Sequence, residues 1–242
     1  MSLLALESVS KRFGGVTAVK DVSLTLEQGE ILGVMGPNGS GKTTLFNLVS
    51  GALAPDAGKI FLLGERIDGL PPHRLCRRGL ARTFQLVRPF LGMTVLENVL
   101  VGLGYGRERV TGSPARVKAE QLLAIVGLAD KSFRPASTLT AMDRKRLELA
   151  RALATSPKLL LLDEFMAGLT PAETGEAIRS IRALQQDGLT IVLVEHIVWA
   201  LLDISHRIVV LSAGEKIADG APASVANDPH VIEVYLGGTA AT

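Results

Sequence analysis

The stretch Gly36-Pro37-Asn38-Gly39-Ser40-Gly41-Lys42-Thr43 fits the pattern G-x-x-x-x-G-K-[ST], which is typical of a loop that holds nucleotide phosphates. Its glycines let the backbone turn where a Cβ would clash, so that successive N–H groups can point at an anion. Lys42 is expected to reach the β- and γ-phosphates, and the Thr43 hydroxyl to bind Mg²⁺. We therefore predict a nucleotide-binding segment that runs from Gly36 to Thr44.

The sequence on either side of this loop agrees with that prediction. Residues 31–35 are uniformly apolar, as a parallel strand covered on both faces should be. Residues 44–49 favour a helix whose positive N-terminal end faces the phosphates. The combination of strand, glycine-rich loop and helix argues against a chance match.

The composition indicates a single α/β domain with an aliphatic core. The 242 residues are 47% hydrophobic but only 4% aromatic, as expected for a parallel sheet covered by helices. The net charge is +2, and basic and acidic residues are spread along the chain, so we expect no nucleic-acid partner.

The cysteine content and the hydropathy of the sequence predict a protein that works inside the cell. The single cysteine, Cys76, excludes an internal disulfide and fits a reducing compartment. The N-terminus lacks the pattern of a signal peptide, and no apolar segment is long enough to span a bilayer. We expect a soluble protein that meets a membrane only through its partners.

Further strands and helices are predicted from turn signals and apolar periodicity. The pattern predicts a helix over residues 144–154 and one that begins at Thr170-Pro171. Other strands are expected at residues 3–9, 22–26, 59–63, 80–84, 159–162, 190–194, 207–211 and 216–220. Other helices are expected at residues 95–103 and 115–126.

Two of the buried strands end in groups that can act on a phosphate. Leu162 leads into Asp163-Glu164, and Val194 leads into Glu195-His196. Ligands of open parallel sheets bind outside the carboxyl ends of the strands, so these groups are expected to converge with the loop on one γ-phosphate. Asp163 is the expected partner of Mg²⁺, and Glu164 is placed to polarise the attacking water.

Phe13, Gln85 and His196 are weaker candidates when each is taken alone. Phe13 either covers a core edge or stacks on a purine ring. Gln85 follows a short strand and can coordinate Mg²⁺ through its carbonyl oxygen. His196 is either a surface histidine or a contact to the γ-phosphate.

Taken together, these residues and their spacing resemble the ATP-binding subunit of an ABC transporter over nearly the whole chain. The resemblance implies that Phe13 stacks on adenine, Gln85 is the lid glutamine, Glu164 the catalytic base and His196 the switch histidine. It also implies a dimer in which two subunits, identical or paralogous, enclose two ATP molecules. Each ATP would contact the phosphate loop of one subunit and the signature segment of the other.

The signature segment departs from the family pattern Leu-Ser-Gly-Gly-Gln. The matching residues are Leu139-Thr140-Ala141-Met142-Asp143. Thr140 keeps the hydroxyl, but Ala141 and Met142 add side chains where glycines let ATP approach closely. The Asp143 carboxylate suits a helix start and would be unfavourable facing a phosphate. We expect the backbone amides still to contact the γ-phosphate in trans, with weaker dimerisation.

A second departure follows Glu164. Phe165 stands where the family commonly has proline, and Thr170 stands where it has an aspartate used in communication between the two sites. The resemblance therefore leaves open how the two subunits communicate.

The resemblance extends to a subgroup, the ATPases of branched-chain amino-acid importers and their urea or amide relatives. It implies an ATPase at the cytoplasmic face of the inner membrane, driven by ATP and Mg²⁺, that works with permease subunits and indirectly with a solute-binding protein. The alternatives are a carrier of urea or short amides, a lipid or lipopolysaccharide exporter, and a regulatory ATPase without a transport role. The stretches that carry this part of the resemblance are residues 13–19, 69–74, 81–85, 94–99, 194–196 and 234–237.

The expected fold is a P-loop NTPase core with a mainly parallel sheet between helices, an N-terminal antiparallel β subdomain and an inserted helical subdomain. All 242 residues would form one such ATPase domain. We assign approximately residues 1–85 and 157–242 to the core and β subdomain, and residues 86–156 to the helical subdomain. The groove near residues 85–93, with apolar Pro89-Phe90-Leu91, is expected to receive a helix of the membrane subunit.

Overall fold

The computed structural model describes residues 2–84 and 87–236, and Gln85 lies outside the described residues. Two sheets and the helices around them make up the fold. The strands are β1 Ser2–Phe13, β2 Val16–Glu27, β3 Ile31–Met35, β4 Ala57–Leu62, β5 Glu65–Arg66, β6 Leu80–Arg82, β7 Leu159–Asp163, β8 Thr190–Val194, β9 Arg207–Ser212 and β10 Glu215–Gly220. The helices are α1 Lys42–Val49, α2 Pro72–Arg77, α3 Val95–Tyr105, α4 Gly112–Ile125, α5 Ala141–Ala154, α6 Pro171–Gln186, α7 Val198–Ile204, α8 Pro222–Ala226 and α9 Pro229–Leu236.

The larger sheet carries the phosphate loop and has the strand order β10-β9-β3-β8-β7-β6. Its strands are parallel except for β10, which pairs with β9 in the antiparallel sense. The smaller sheet is antiparallel, with the order β2-β1-β4-β5. This arrangement confirms the predicted fold class.

Both faces of the larger sheet are buried, which explains the uninterrupted apolar runs in its strands. In β7, Leu159 and Leu161 pack in the core shared with α1 and the smaller sheet, whereas Leu160 and Leu162 pack in the core shared with α5 and α6. The same alternation places Val192 on the first face and Ile191 on the second.

The first strands are longer than the sequence pattern indicated. β1 and β2 form a hairpin around Gly14-Gly15, in which Phe13 pairs with Val16. β6 is shorter than expected and ends at Arg82 rather than Phe84. Beyond Arg82, the contact with β7 continues through the Thr83 amide, which donates to the carbonyl oxygen of Leu161.

The residues between β6 and β7 contain the helices α3, α4 and α5, which pack against one another through buried aliphatic side chains. α3 begins with a complete capping box between Thr94 and Glu97. α5 begins at Ala141 rather than at the predicted Arg144, because the Thr140 side chain caps the helix by accepting a hydrogen bond from the Asp143 amide.

Candidate functional site

The phosphate loop turns sharply between β3 and α1 at positions that only glycine tolerates. Gly41 has φ +101°, and a Cβ there would overlap the carbonyl oxygen of Ala18. Gly36 has φ +153°, and a Cβ there would overlap the carbonyl oxygen of Leu211. Packing against the neighbouring backbone therefore requires both glycines and holds the loop at the carboxyl end of β3.

Lys42 lies inside this loop and is almost fully buried. Its Nζ atom donates to the carbonyl oxygens of Gly36 at 2.7 Å and Pro37 at 2.9 Å. Burial lowers the pKa of Lys42, while the charge of Glu164 opposes that shift. An ammonium surrounded by a nest of loop amides is a suitable binding group for phosphate oxygens.

A cavity of about 210 Å³ lies over the loop, and residues that follow the ends of β7 and β8 also line it. Besides Ala18, its lining consists of the loop residues and the two side chains that the sequence predicted to meet them. The lining loop residues are Asn38, Gly39, Ser40, Gly41, Lys42, Thr43 and Thr44, and the two side chains are Glu164 and His196.

Glu164 and His196 contact each other at the edge of this cavity. The Nε2 atom of His196 lies 3.1 Å from Oε1 of Glu164. Glu164 has a left-handed backbone with φ +49°, and its amide donates to the carbonyl oxygen of Val194. This conformation is unfavourable for a residue with a Cβ, so the surrounding structure must impose it. A carboxylate and an imidazole therefore line the cavity over the loop side by side.

Asp163 ends β7 and pairs with a buried arginine. Its Oδ2 atom accepts from Nη2 of Arg82 at 2.6 Å, and Nη1 of Arg82 donates to Asn47 Oδ1 at 2.7 Å and Ser50 Oγ at 2.9 Å. Asp163, Arg82 and Thr43 together line a second groove of about 510 Å³. The Thr43 hydroxyl and the Asp163 carboxylate that line this groove are oxygen donors of the kind that Mg²⁺ prefers, and Arg82 binds one oxygen of that carboxylate.

Phe13 is open to solvent at the end of β1. Its ring is 49% exposed, which excludes the role of core cover. The Lys11 ammonium lies 5.7 Å from the ring centroid. Because the exposed face of an aromatic ring can stack on a planar base, the position remains compatible with purine binding.

The signature segment forms the N-terminus of α5, and its aspartate does not face outward. Asp143 is buried, and its Oδ2 atom accepts from Lys131 Nζ at 2.7 Å. Burial alone would raise the pKa of this carboxyl, but hydrogen bonds from Lys131 and Thr140 hold it below its usual value. The expected conflict between this carboxylate and a phosphate is therefore removed by Lys131.

The two departures from the family pattern share one cavity. Met142, half-buried, and Phe165, buried, both line a cleft of about 260 Å³ between α5 and α6. Thr170 is the N-cap of α6 and forms a capping box with Glu173. Its hydroxyl is thus engaged within its own subunit.

Several exposed apolar side chains follow β6 along the chain, and the first of them, Phe84, lines the same groove as Thr43 and Asp163. Phe84, Phe90, Leu91 and Met93 are each between 39% and 55% exposed. Buried Asn98 shapes this segment: its side chain accepts from the Phe90 amide and donates to the carbonyl oxygens of Phe90 and Thr94.

The guanidinium of Arg151 lies over the Phe90 ring at 4.8 Å and also donates to Glu148 Oε2 at 2.7 Å. Glu148 is itself buried, and burial raises its pKa even though Arg151 lowers it. Arg151 therefore contacts both the Phe90 ring and Glu148, and Arg151 and Glu148 line the groove together with Phe84.

Three charged residues around the site have roles that were not predicted from the sequence. Arg82 is the only charged residue of an otherwise apolar strand. Because a buried cation needs an acidic partner, an ion pair of Arg82 could have been predicted from the sequence. Glu195 was expected to face the phosphate but turns inward, where its Oε1 atom accepts from the Met166 amide at 2.6 Å. Lys145 gave no signal, because basic residues surround it in α5.

Among residues 2–84 and 87–236, no helix combines the length and the apolar character needed to cross a membrane. Comparison with known families shows two matches. The family described as "ABC transporter" matches residues 19–167, and the one described as "Branched-chain amino acid ATP-binding cassette transporter" matches residues 215–241.

Known proteins of similar sequence cover the chain almost completely. The high-affinity branched-chain amino acid transport ATP-binding protein LivG of Salmonella typhimurium is 42% identical over 97% of this chain and 98% of its own length. The lipopolysaccharide export system ATP-binding protein LptB of Haemophilus influenzae is 38% identical over 98% of each chain.

Solved structures agree with the fold. The ADP conformation of MJ1267, an ATP-binding cassette of an ABC transporter, superimposes with a TM-score of 0.89, 32% identity and coverage of 98% of this chain and 99% of that chain. A dimeric post-hydrolysis state of the cassette MJ0796, bound to ADP and Pi, gives a TM-score of 0.81 at 26% identity over 90% and 98% of the two chains. The chain therefore belongs to the ABC transporter family and is an ATP-hydrolysing subunit of it.

Proposed function

We propose that this subunit powers the import of branched-chain amino acids through separate membrane subunits. The observation that carries the proposal is the match of residues 215–241 to the C-terminal segment of branched-chain amino-acid cassettes, together with the 42% identity to LivG. The similarity to LptB supports lipopolysaccharide export as the second candidate. The solute itself would pass through the membrane subunits and would not contact this chain.

In the proposed site, Lys42 and the loop amides bind the β- and γ-phosphates, and Phe13 stacks on adenine. Thr43 and Asp163 hold Mg²⁺, and the predicted Gln85 would complete this set. The proposal is supported by the oxygen donors on one groove and by the contact between Glu164 and His196 over the loop. Glu164 acts as the general base for water, and His196 contacts the γ-phosphate and orients that carboxylate.

The proposed working unit is a dimer that closes on ATP. The partner's signature segment, residues 139–143, would present the N-terminus of α5 to the γ-phosphate, where its amides and dipole favour an anion. The inward orientation of Asp143 and the dimeric state of MJ0796 support this arrangement. ATP would favour the closed dimer because its contacts with the partner exist only in that state.

The set of exposed apolar side chains Phe84, Phe90, Leu91 and Met93 is the proposed contact with the membrane subunits. It combines exposed aromatic and aliphatic side chains with the Arg151–Glu148 pair, a composition typical of an interface centre with a polar rim. Phe84 lines the same groove as Thr43 and Asp163, so a helix that contacted Phe84 would lie next to the proposed Mg²⁺ site. This contact would place the subunit at the cytoplasmic face of the membrane as a peripheral protein.

Two substitutions are expected to separate ATP binding from hydrolysis. Lys42→Ala should weaken ATP binding because it removes the buried ammonium from the loop. Glu164→Gln should keep ATP binding and reduce kcat by about 10²–10⁴-fold, the usual contribution of a general base. Fluorescent-nucleotide titration and phosphate release measure the two effects, and a Glu164→Gln enzyme with normal turnover would contradict the proposed site.

Met142→Gly is expected to strengthen ATP-driven dimerisation. In the Glu164→Gln background, removal of this side chain should lower the dimer dissociation constant about tenfold, which corresponds to about 1.4 kcal/mol. The physical reason is closer approach of the α5 amides to the partner's ATP. Met142→Leu is the control, because it keeps the bulk. Sedimentation velocity with Mg²⁺-ATP measures the effect, and equal dissociation constants for both variants would exclude a steric role of Met142.

Phe90→Ser is expected to weaken the association with the membrane subunits. Tyr105→Ser is the control, because Tyr105 is also an exposed ring but lies at the opposite end of α3 from the Asn98 side that contacts Phe90. The permease subunits should no longer co-purify with the Phe90→Ser variant and should still co-purify with the control. Equal retention of both variants would place the membrane contact elsewhere.

The solute is tested with the subunit assembled with its permease subunits in proteoliposomes. We expect leucine, isoleucine or valine, delivered with the solute-binding protein, to stimulate ATP hydrolysis, and urea and lipopolysaccharide to have no effect. Stimulation by lipopolysaccharide alone would favour the second candidate. Stimulation by urea or short amides alone would reassign the solute within the same family.

A further inference from the structure

Two charged side chains, one half-buried and one buried, hold the loop that follows the proposed catalytic base. We call residues 164–169 the catalytic loop. Lys145, in the second turn of α5, donates from Nζ to the carbonyl oxygens of Phe165 at 2.9 Å and Ala167 at 2.5 Å. One ammonium therefore binds two carbonyl groups of the catalytic loop from the helix that carries the signature segment.

Glu195 holds the same loop from the opposite side. It extends from the end of β8, is only 3% exposed, and accepts a hydrogen bond from the Met166 amide at 2.6 Å. Its second oxygen, Oε2, is buried and has no hydrogen-bond partner within the described residues. A carboxyl group in this position contributes to the structure mainly through the bond to Met166.

Burial shifts the pKa of both groups towards their neutral forms. Burial lowers the pKa of Lys145, against the charges of Glu195 and Glu164. Burial raises the pKa of Glu195 to about 7, although the Met166 amide and Lys145 lower it. Desolvation of such groups is unfavourable unless their hydrogen bonds form, so both side chains favour the observed position of the loop over others.

The backbone of Glu164 needs this support. Its left-handed conformation is intrinsically unfavourable, and the residues directly after it are those that Lys145 and Glu195 bind. Thr170, at the far end of the loop, is engaged as the cap of α6. Lys145 and Glu195 therefore add side-chain bonds to the loop from α5 and from the end of β8, beside the bond from the Glu164 amide to Val194.

We propose that Lys145 and Glu195 are positioning residues that fix the catalytic loop, and that Lys145 transmits the position of α5 to Glu164 of the same subunit. The helix that would meet the partner's ATP is thereby linked through one side chain to the residue that would activate water. This link supplies a route between the two sites in a chain that lacks the family's aspartate at position 170. The inference rests on the proposed role of Glu164.

Lys145→Met tests the first contact in the full-length chain. We expect kcat to fall at least about tenfold while the KM for ATP and the affinity for ADP stay within about twofold, because the loop is displaced but the phosphate loop is intact. Lys145→Arg retains a charged donor of similar reach and should restore most of kcat. Arg146→Met is the matched control, because Arg146 is the next residue of α5 and pairs with Glu176 rather than with the loop.

Glu195 is tested by a pair of substitutions of similar size. Glu195→Gln keeps an oxygen that accepts from Met166 and should retain kcat within about threefold, whereas Glu195→Leu removes the acceptor and should lower kcat at least about tenfold. Thermal unfolding and ADP binding of each variant establish that the fold and the nucleotide site persist. Equal activity of the two variants would contradict the role of Glu195.

Several results would overturn the inference for Lys145. These are a normal kcat in Lys145→Met, a parallel loss of ATP affinity and kcat, or a failure of Lys145→Arg to restore activity. The Glu164→Gln variant separates this inference from the proposed function. If Glu164→Gln hydrolyses ATP normally, the proposed catalytic base is wrong, whereas an inactive Glu164→Gln with an active Lys145→Met rejects only the positioning role.

Discussion

The parallel register of β3, β8 and β7 is the constraint on which the rest of the structure depends. Val34 is level with Val194, and Val194 is level with Asp163, so the three strands end at one edge of the sheet. A strand rises about 3.3 Å per residue, and a slip of two residues would therefore move one strand end by more than the length of a hydrogen bond. Since both faces of the sheet are buried, such a slip would also disrupt two cores. Packing thus secures the meeting of the phosphate loop, Glu164 and His196.

Much of this arrangement was predictable because it depends on local patterns. The apolar runs at residues 159–162 and 190–194 are typical of strands in a sheet that is covered on both faces. The glycine spacing of the phosphate loop indicates the backbone geometry of that loop. The features that escaped prediction depend on partners distant in the chain. Arg82 meets Asp163 and Lys145 meets Phe165 only after folding, and no local pattern indicates which neighbour a buried charge will find. The early start of α5 was missed because Thr140 was not recognised as its N-cap.

The departures from the family pattern are compensated by neighbouring residues. Asp143 would oppose a phosphate if it pointed outward, and Lys131 draws it inward instead. Phe165 fills buried space beside Met142, so the bulkier residues in the signature segment and after the catalytic base line the same cleft. Thr170 serves its own helix, while Lys145 makes the contact between α5 and the catalytic loop. These substitutions are consistent with a set of mutual adjustments around one loop.

The proposed mechanism of hydrolysis requires that three strand ends surround one terminal phosphate and that Glu164 reaches the water beside it. A crystal structure of the Glu164→Gln variant with Mg²⁺ and ATP tests this most directly. We predict the γ-phosphate within hydrogen-bond distance of Lys42 and His196, Mg²⁺ bound by Thr43 close to Asp163, and the side chain of residue 164 directed at a water in line with the γ-phosphate. A structure in which residue 164 and His196 point away from the γ-phosphate would contradict the account.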